Sequence, residues 1–448
     1  MKRAFGVLAL LFMSAGYAQA APSVRSFTLK EAIGMALENN NLIKAAGFRS
    51  KAAQEGIAIT SSGYYPHLFF EETFGASNSP TQTFMMKLDE GRFAQNDFNI
   101  SNLNHPGTWH DFKTALTVQQ PLYSPALAPA RNVAEKEAEK EQLSADAVKQ
   151  DVAFQVLRLY LDVQRSEAQY KAAEKAVSEA QEHRRLAAVR SQAGTGLRSD
   201  ELRARTHLSS AEQQLITALN DRILTKMQLG ITVGLKDGEK ADIAEPLTRL
   251  ARPPQPDELT RAALENRNDL RRTRVELEKA DASLKLARSG YLPAIDAFAS
   301  YQLNAKDVPF GADNDAWMTG VNLKWNIFEG FRTNRERDRA TAERSAAAQM
   351  LEGKTKDIRF QVQESFLRRE EMGKRLEVAR HALLDAEETV RLLSRRFENS
   401  LATMVELLDA QTALNQARAN LVDTEANYAL AGGRVYYAAG IFLKEMLK

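Results

Sequence analysis

The chain has 448 residues, 44% apolar and 26% charged, with a formal net charge of +2 and no cysteine. Without cysteine there are no disulfides, no thiolate chemistry and no lipidated anchor, so any membrane attachment is non-covalent. Near-neutral charge offers nucleic acid no basic surface, and the composition is that of a mostly folded chain leaning towards long helices.

Lys2 and Arg3 precede an apolar run at residues 4–13, followed by Ala18-Gln19-Ala20. That order predicts a signal peptide over 1–20 and a mature chain starting near Ala21. A retained membrane anchor is the competing reading, but the run is shorter than the ~20 residues a spanning helix needs. No later stretch is long and apolar enough for such a helix, so the exported chain is either periplasmic or enters a membrane as strands. Cleavage leaves 58 basic residues against 58 acidic ones.

Thr28 with Glu31 three residues on is a capping-box start for a helix of about thirty residues that stops before Gly63 and Pro66. Strands are expected at 64–78 and 112–123, joined by a long connection over 78–111. A very long helix follows at 125–193, with Val148, Val152, Val156, Leu159 and Val163 spaced by fours and threes. At ~1.5 Å per residue it is on the order of 100 Å long. Gly194-Thr195-Gly196 ends it, and Ser199 or Asp200 is placed to cap a shorter helix to 233. Leu208, Ala211, Leu215, Leu219 and Ile223 are the expected buried stripe of that helix. A linker rich in Gly and Pro occupies 235–255, and Pro256 follows it.

The same order is then written again. Ala36-Leu37-Glu38-Asn39 recurs as Ala263-Leu264-Glu265-Asn266, and Gly63-Tyr64-Tyr65-Pro66 as Gly290-Tyr291-Leu292-Pro293, both 227 positions on. Further along the offset is 206: Leu208, Ala211 and Leu215 match Leu414, Ala417 and Leu421, and Gly234 matches Gly440. The two repeats span about 28–234 and 256–441. Ile358, Val362 and Phe366 carry the core pattern of the second long helix. Because the two short helices of a repeat run opposite to the long one and together match its length, they can flank it as an antiparallel helical wall.

The second strand pair is expected at 291–304 and 318–328. Val321, Leu323, Trp325 and Ile327 alternate with Asn322, Lys324 and Asn326, the pattern of a strand with one lipid face and one wet face. A half-buried hairpin away from any membrane would alternate in the same way. Four strands cannot close a barrel, and an open edge cannot lie in lipid, so the membrane reading requires two, three or four copies.

The signal peptide, the duplicated helix-strand-strand-long helix-short helix unit and the two Tyr-X-Pro joints together resemble the TolC family of outer-membrane efflux proteins, over nearly all the mature chain. The resemblance implies a mainly helical fold with membrane β structure. Long antiparallel hairpins would form a periplasmic α-barrel, and four strands per protomer would contribute to a trimeric twelve-stranded β-barrel. It also implies a passive duct in the outer membrane, working with outer-membrane lipid, a periplasmic adaptor (membrane fusion) protein and an inner-membrane pump of the RND or ABC type, with no cofactor and no enzymatic step.

In that family the tunnel closes where long and short helices turn, here at 194–200 and 399–406. The segment Thr403-Met404-Val405-Glu406-Leu407-Leu408-Asp409-Ala410 is similar to the family's gate helix, so Glu406 and Asp409 take the places of its two acids. Phe397 falls at an aromatic gate position, and Asp200 is the first-repeat partner of Glu406. An arginine that clamps the gate in some relatives is replaced by Ala402, which leaves either a substitute such as Arg198 or closure by packing. Gly196, Leu197 and Leu401 resemble the places where adaptor hairpins dock.

Phe84, Met85 and Met86 in the long connection either cover a barrel mouth or pack on its rim. The six histidines, including His105 and His110, lack metal-ligand spacing. No Walker phosphate loop, Gly-X-Ser-X-Gly elbow or HExxH segment occurs. The rival reading is a periplasmic coiled-coil adaptor or scaffold, which would show one hairpin flanked by β-rich segments rather than two equivalent ones.

Overall fold

A computed structural model describes residues 24–236, 238–246 and 250–447; the expected signal peptide lies outside them. The elements run β1 (Val24–Phe27), α1 (Leu29–Asn39), α2 (Asn41–Ser61), β2 (His67–Ser77), α3 (Pro80–Asp89), α4 (Ile100–Asn104), β3 (Trp109–Tyr123), α5 (Leu127–Gln192) and α6 (Arg198–Val233). After them come β4 (Lys240–Ile243), α7 (Pro256–Asn266), α8 (Asn268–Ser289), β5 (Ala294–Ala305), β6 (Asn314–Lys324), α9 (Arg332–Glu398), α10 (Met404–Ala438) and α11 (Phe442–Met446). The long helices have 66 and 67 residues. No helix among the described residues is long and apolar enough to cross a membrane.

The chain divides into two compact units. One, Lys44–Val148 with Thr260–Gln361, holds the antiparallel sheet β2-β3-β5-β6. Its register aligns Trp317, Tyr301, Leu116 and Phe70 across all four strands, with Thr319, Ala299, Val118 and Leu68 as the next row on the same face. Most of these large apolar side chains are exposed, Trp317 to 74%. The opposite face carries Asn322, Lys324, Asp296, Ser300, Gln302 and Thr117. These apolar rows are uncovered in one copy of the chain. The last strand starts and ends earlier than the alternation suggested: pairing stops at Lys324, so Trp325 and Ile327 stand beyond it. There the Trp325 indole Nε1 donates to the Tyr291 carbonyl at 3.1 Å.

The connection after β2 is not an open loop but contains α3 and α4. Phe84 packs edge-on to Phe93 at 4.5 Å, while Met85 remains half exposed. Arg92 ties this connection to the β5–β6 turn, 2.8 Å from Asp313 and 3.2 Å from Asp307. In the helical part of this unit Asp269 receives Arg267 and Lys354, at 2.7 and 2.8 Å.

The other unit comprises the described residues of Met1–Ile43, Lys149–Leu259 and Val362–Lys448. Val152, Val156, Leu159 and Val163 of α5 are buried in it, as their spacing requires. Glu179 of α5 accepts from Gln411 at 2.6 Å and lies 3.1 Å from Arg418, both on α10. Within the linker, β4 pairs in parallel with β1, a contact between distant segments that no local pattern announces. The Thr28–Glu31 capping box is present, but its helix breaks after eleven residues at Asn40. Buried Asn40 donates to the Thr232 carbonyl at 2.8 Å and accepts from the Leu42 N–H at 2.9 Å, so α2 starts anew.

On α6 the expected stripe splits. Leu208 and Ala211 are buried, whereas Leu219 and Ile223 are exposed together with Ile216, Leu224, Met227 and Ile231. Their period is helical, but one copy of the chain has nothing to lay against them.

Candidate functional site at the helical tips

Both long helices end in the same motif. At the first tip the N–H groups of Thr195 and Gly194 donate to the carbonyls of Arg190 (3.0 Å) and Ser191 (3.3 Å). At the second, Leu401 and Ser400 donate to Arg396 (2.7 Å) and Phe397 (2.9 Å). Each is a Schellman C-cap, whose C′ residue must be left-handed. Gly194 has φ +73°, and its counterpart is Ser400 at φ +62°. At Gly196 an added Cβ would stand 2.9 Å from the Arg190 Cβ, so only glycine lets the chain fold back so closely.

The short helices start differently. Thr403 caps α10: its N–H and hydroxyl donate to the Glu406 carboxylate at 2.7 and 2.9 Å, and the Glu406 N–H donates to the hydroxyl at 3.3 Å. These bonds hold the Glu406 carboxyl below the usual carboxylate range, the backbone bond from Thr403 contributing most and Arg396 a little. On α6 the N-cap is Leu197, without a side-chain bond, so neither Ser199 nor Asp200 caps it. Both lie inside the first turn, where the acidic Asp200 complements the helix dipole.

Between the tips lies one apolar cluster drawn from all four helices: Ala187, Ala204, Phe397, Met404, Leu407 and Leu408, with Leu393 and Ala402 against it. Phe397 is only 6% exposed and therefore packs inside the protomer rather than projecting from it. The Arg190 guanidinium covers its ring at 4.3 Å and donates to the Glu398 carbonyl at 2.8 Å. Arg198 is engaged elsewhere, 2.5 Å from Glu201 on its own helix.

Gly196, Leu197, Asp200, Arg190 and Phe397 line one cavity of about 410 Å³. Glu406 and Asp409 are outside its lining, exposed on α10 and separated by less than one helical turn. Leu197 and Leu401 are each 67% exposed at the turns. The structure thus separates the candidate residues into an apolar joint holding Phe397, an acidic exposed edge with Glu406 and Asp409, and two apolar points. Arg190 went unnoticed in the sequence because its partners Phe397 and Glu398 are about 200 positions away; its one local sign is a cation in the last turn of a helix.

The outer membrane efflux protein family model matches residues 32–234 and 259–440. The chain is 24% identical to the proteases secretion protein PrtF of Dickeya chrysanthemi over 98% of its own length and 92% of that protein's. Its identity to the outer membrane protein TolC of Vibrio cholerae is 23%, over 96% of this chain and 94% of that one. The Campylobacter jejuni CmeC outer membrane channel superposes on it with a TM-score of 0.77 at 16% identity, covering 92% of this chain and 86% of that chain. With both halves matched, the chain belongs to the outer membrane efflux proteins, the TolC-type channels of the bacterial outer membrane.

Proposed function

We propose that three copies assemble into a passive exit duct whose gate is formed by the helical tips. The observation that carries the assembly is the sheet itself. Strands β2 and β6 each pair on one side only, yet present apolar rows, so lipid would leave both edges unsatisfied unless β6 of one copy pairs with β2 of the next. The exposed apolar residues of α6, and Phe360, Leu367 and Val378 of α9, supply further surface for copies to bury. Three copies, as the family resemblance implies, give twelve strands.

In such an assembly Glu406 and Asp409 form a ring of carboxylates around the axis, which attracts cations and repels anions. Asp200 adds its charge from the neighbouring turn, and the packed Phe397 joint holds the tips together. Cargo arrives from an inner-membrane pump through a periplasmic adaptor docked on Gly196, Leu197 and Leu401, and the duct itself uses no energy. Relatives are named for protease secretion and for solvent efflux, so selection of cargo is assigned to the pump.

Single-channel recording of the purified mature protein in a planar bilayer tests the reading. Discrete cation-selective steps are expected; a folded protein that never inserts or conducts overturns it. Loss of adaptor crosslinking in Leu197→Asp tests the docking points, and unimpaired crosslinking removes them.

A further inference from the structure

Two imidazoles interrupt an apolar seam between α5 and α6 close to the tip. On α5, Ala176, Ala180, His183 and Ala187 follow one another at intervals of four, three and four, and the three alanines are buried. On α6, His207 lies between buried Ala204 and Leu208. The apolar layer on one side is Ala180, Leu208 and Ala211, and on the other Ala187 and Ala204 belong to the tip cluster. The histidines therefore lie between two apolar layers close to the tip. Nδ1 of each is buried without a hydrogen-bond partner.

At His207 neutral imidazole is tolerated at modest cost, and burial disfavours imidazolium. A second proton on His207 would place an N–H in its unpartnered space, beside the His183 ring. Glu182 lies beside His183 and answers part of any charge there, but no carboxylate is bonded to His207. Glu182 of α5 is bound by Arg185 at 2.6 Å, and Glu179 by Arg418 and Gln411 of α10. Arg203 lies one turn before His207 on α6 and adds charge of the wrong sign. Burial, and after it the charge on His183, pushes the His207 pKa below its ordinary 6.5.

We infer that His207, packed against His183, forms an acid-responsive joint: its protonation loosens the α5–α6 hairpin beside its tip and shifts the duct towards its open state. The inference rests on the tips being the gate. Its direction follows from linkage. Neutral His207 is tolerated above about pH 6.5, and the penalty grows as pH falls below that towards its depressed pKa in the folded state.

The test compares the full-length protein with the double variant His183→Gln, His207→Gln, which stays neutral at every pH. The open fraction of the wild type is expected to rise by about threefold or more between about pH 7.5 and 5.5, with the variant's profile flat or much shallower. Coinciding profiles overturn the inference. Hydrogen exchange of the hairpin, read on the same two proteins at each pH, is independent of conduction. Faster exchange in acid for the wild type than for the variant supports the joint even if neither protein conducts, in which case the duct reading alone fails. Equal exchange at every pH overturns the joint.

Discussion

Arg190 covers the ring of Phe397 at 4.3 Å and donates to the neighbouring Glu398 carbonyl, so one side chain at the end of α5 holds the end of α9 by two contacts. A cation over an aromatic face contributes about 0.5–2 kcal/mol and a charged hydrogen bond about as much. The tie lines the same cavity as Ala402 and takes its cation from the other hairpin. Arg190→Ala is expected to raise the open fraction of the channel by about tenfold, with Arg190→Lys intermediate because the flat guanidinium is lost. An open fraction within twofold of wild type would show that apolar packing alone keeps the tips together.

Charge at the exposed edge of α10 is separable from its folding. Glu406→Gln keeps a residue able to complete the capping box with Thr403, and Asp409→Asn changes only charge. The double variant is therefore expected to form channels of normal abundance with reduced cation preference, measured as a reversal potential nearer zero in a salt gradient. Unchanged selectivity in an open channel takes both residues out of the gate.

The duplicated C-caps make an internal comparison. Ser400 sits at φ +62° where its counterpart is Gly194 at φ +73°, and a non-glycine residue there costs on the order of 1 kcal/mol. Ser400→Gly should stabilise the second tip by about 0.5 kcal/mol or more, since glycine's extra unfolded freedom offsets part of the relief. Gly194→Ser should do the reverse at the first tip. Hydrogen exchange at the two turns reads both, and a slower second turn in Ser400→Gly is the expected sign.

Asp269 provides the clearest pH dependence away from the tips. Burial would raise its pKa, but hydrogen bonds and charge from Arg267 and Lys354 hold it at about 2, below the ordinary 3.8. The carboxylate therefore contributes stability that is complete above about pH 3.8 and is lost as pH falls towards about 2. The difference corresponds to about 2 kcal/mol. Asp269→Asn is expected to lower neutral-pH stability by about that amount and to flatten the acid limb of a denaturation profile between about pH 4 and 2. An identical acid limb would mean that the pair is offset elsewhere.

Much of this molecule is local and therefore legible in its residues. Helical period, the Thr28 and Gly194 end signals, and the alternation at Val321 and Leu323 each depend on backbone geometry within a few positions. The repeat then gives the order of elements twice. The sequence by itself thus determined the mainly helical class, the two strand pairs and the position of both tips. Tertiary structure decided whatever depends on which surfaces meet: the parallel pairing of β1 with β4, the break at Asn40 that lets its amide reach Thr232, and the grip of Arg190 on α9. It also decided burial. Phe397 and Leu219 are both apolar on helices, but Phe397 lies beneath a guanidinium in a four-helix cluster while Leu219 is exposed. Periodicity identifies a face, whereas its partner is set by contacts across hundreds of residues or between copies of the chain.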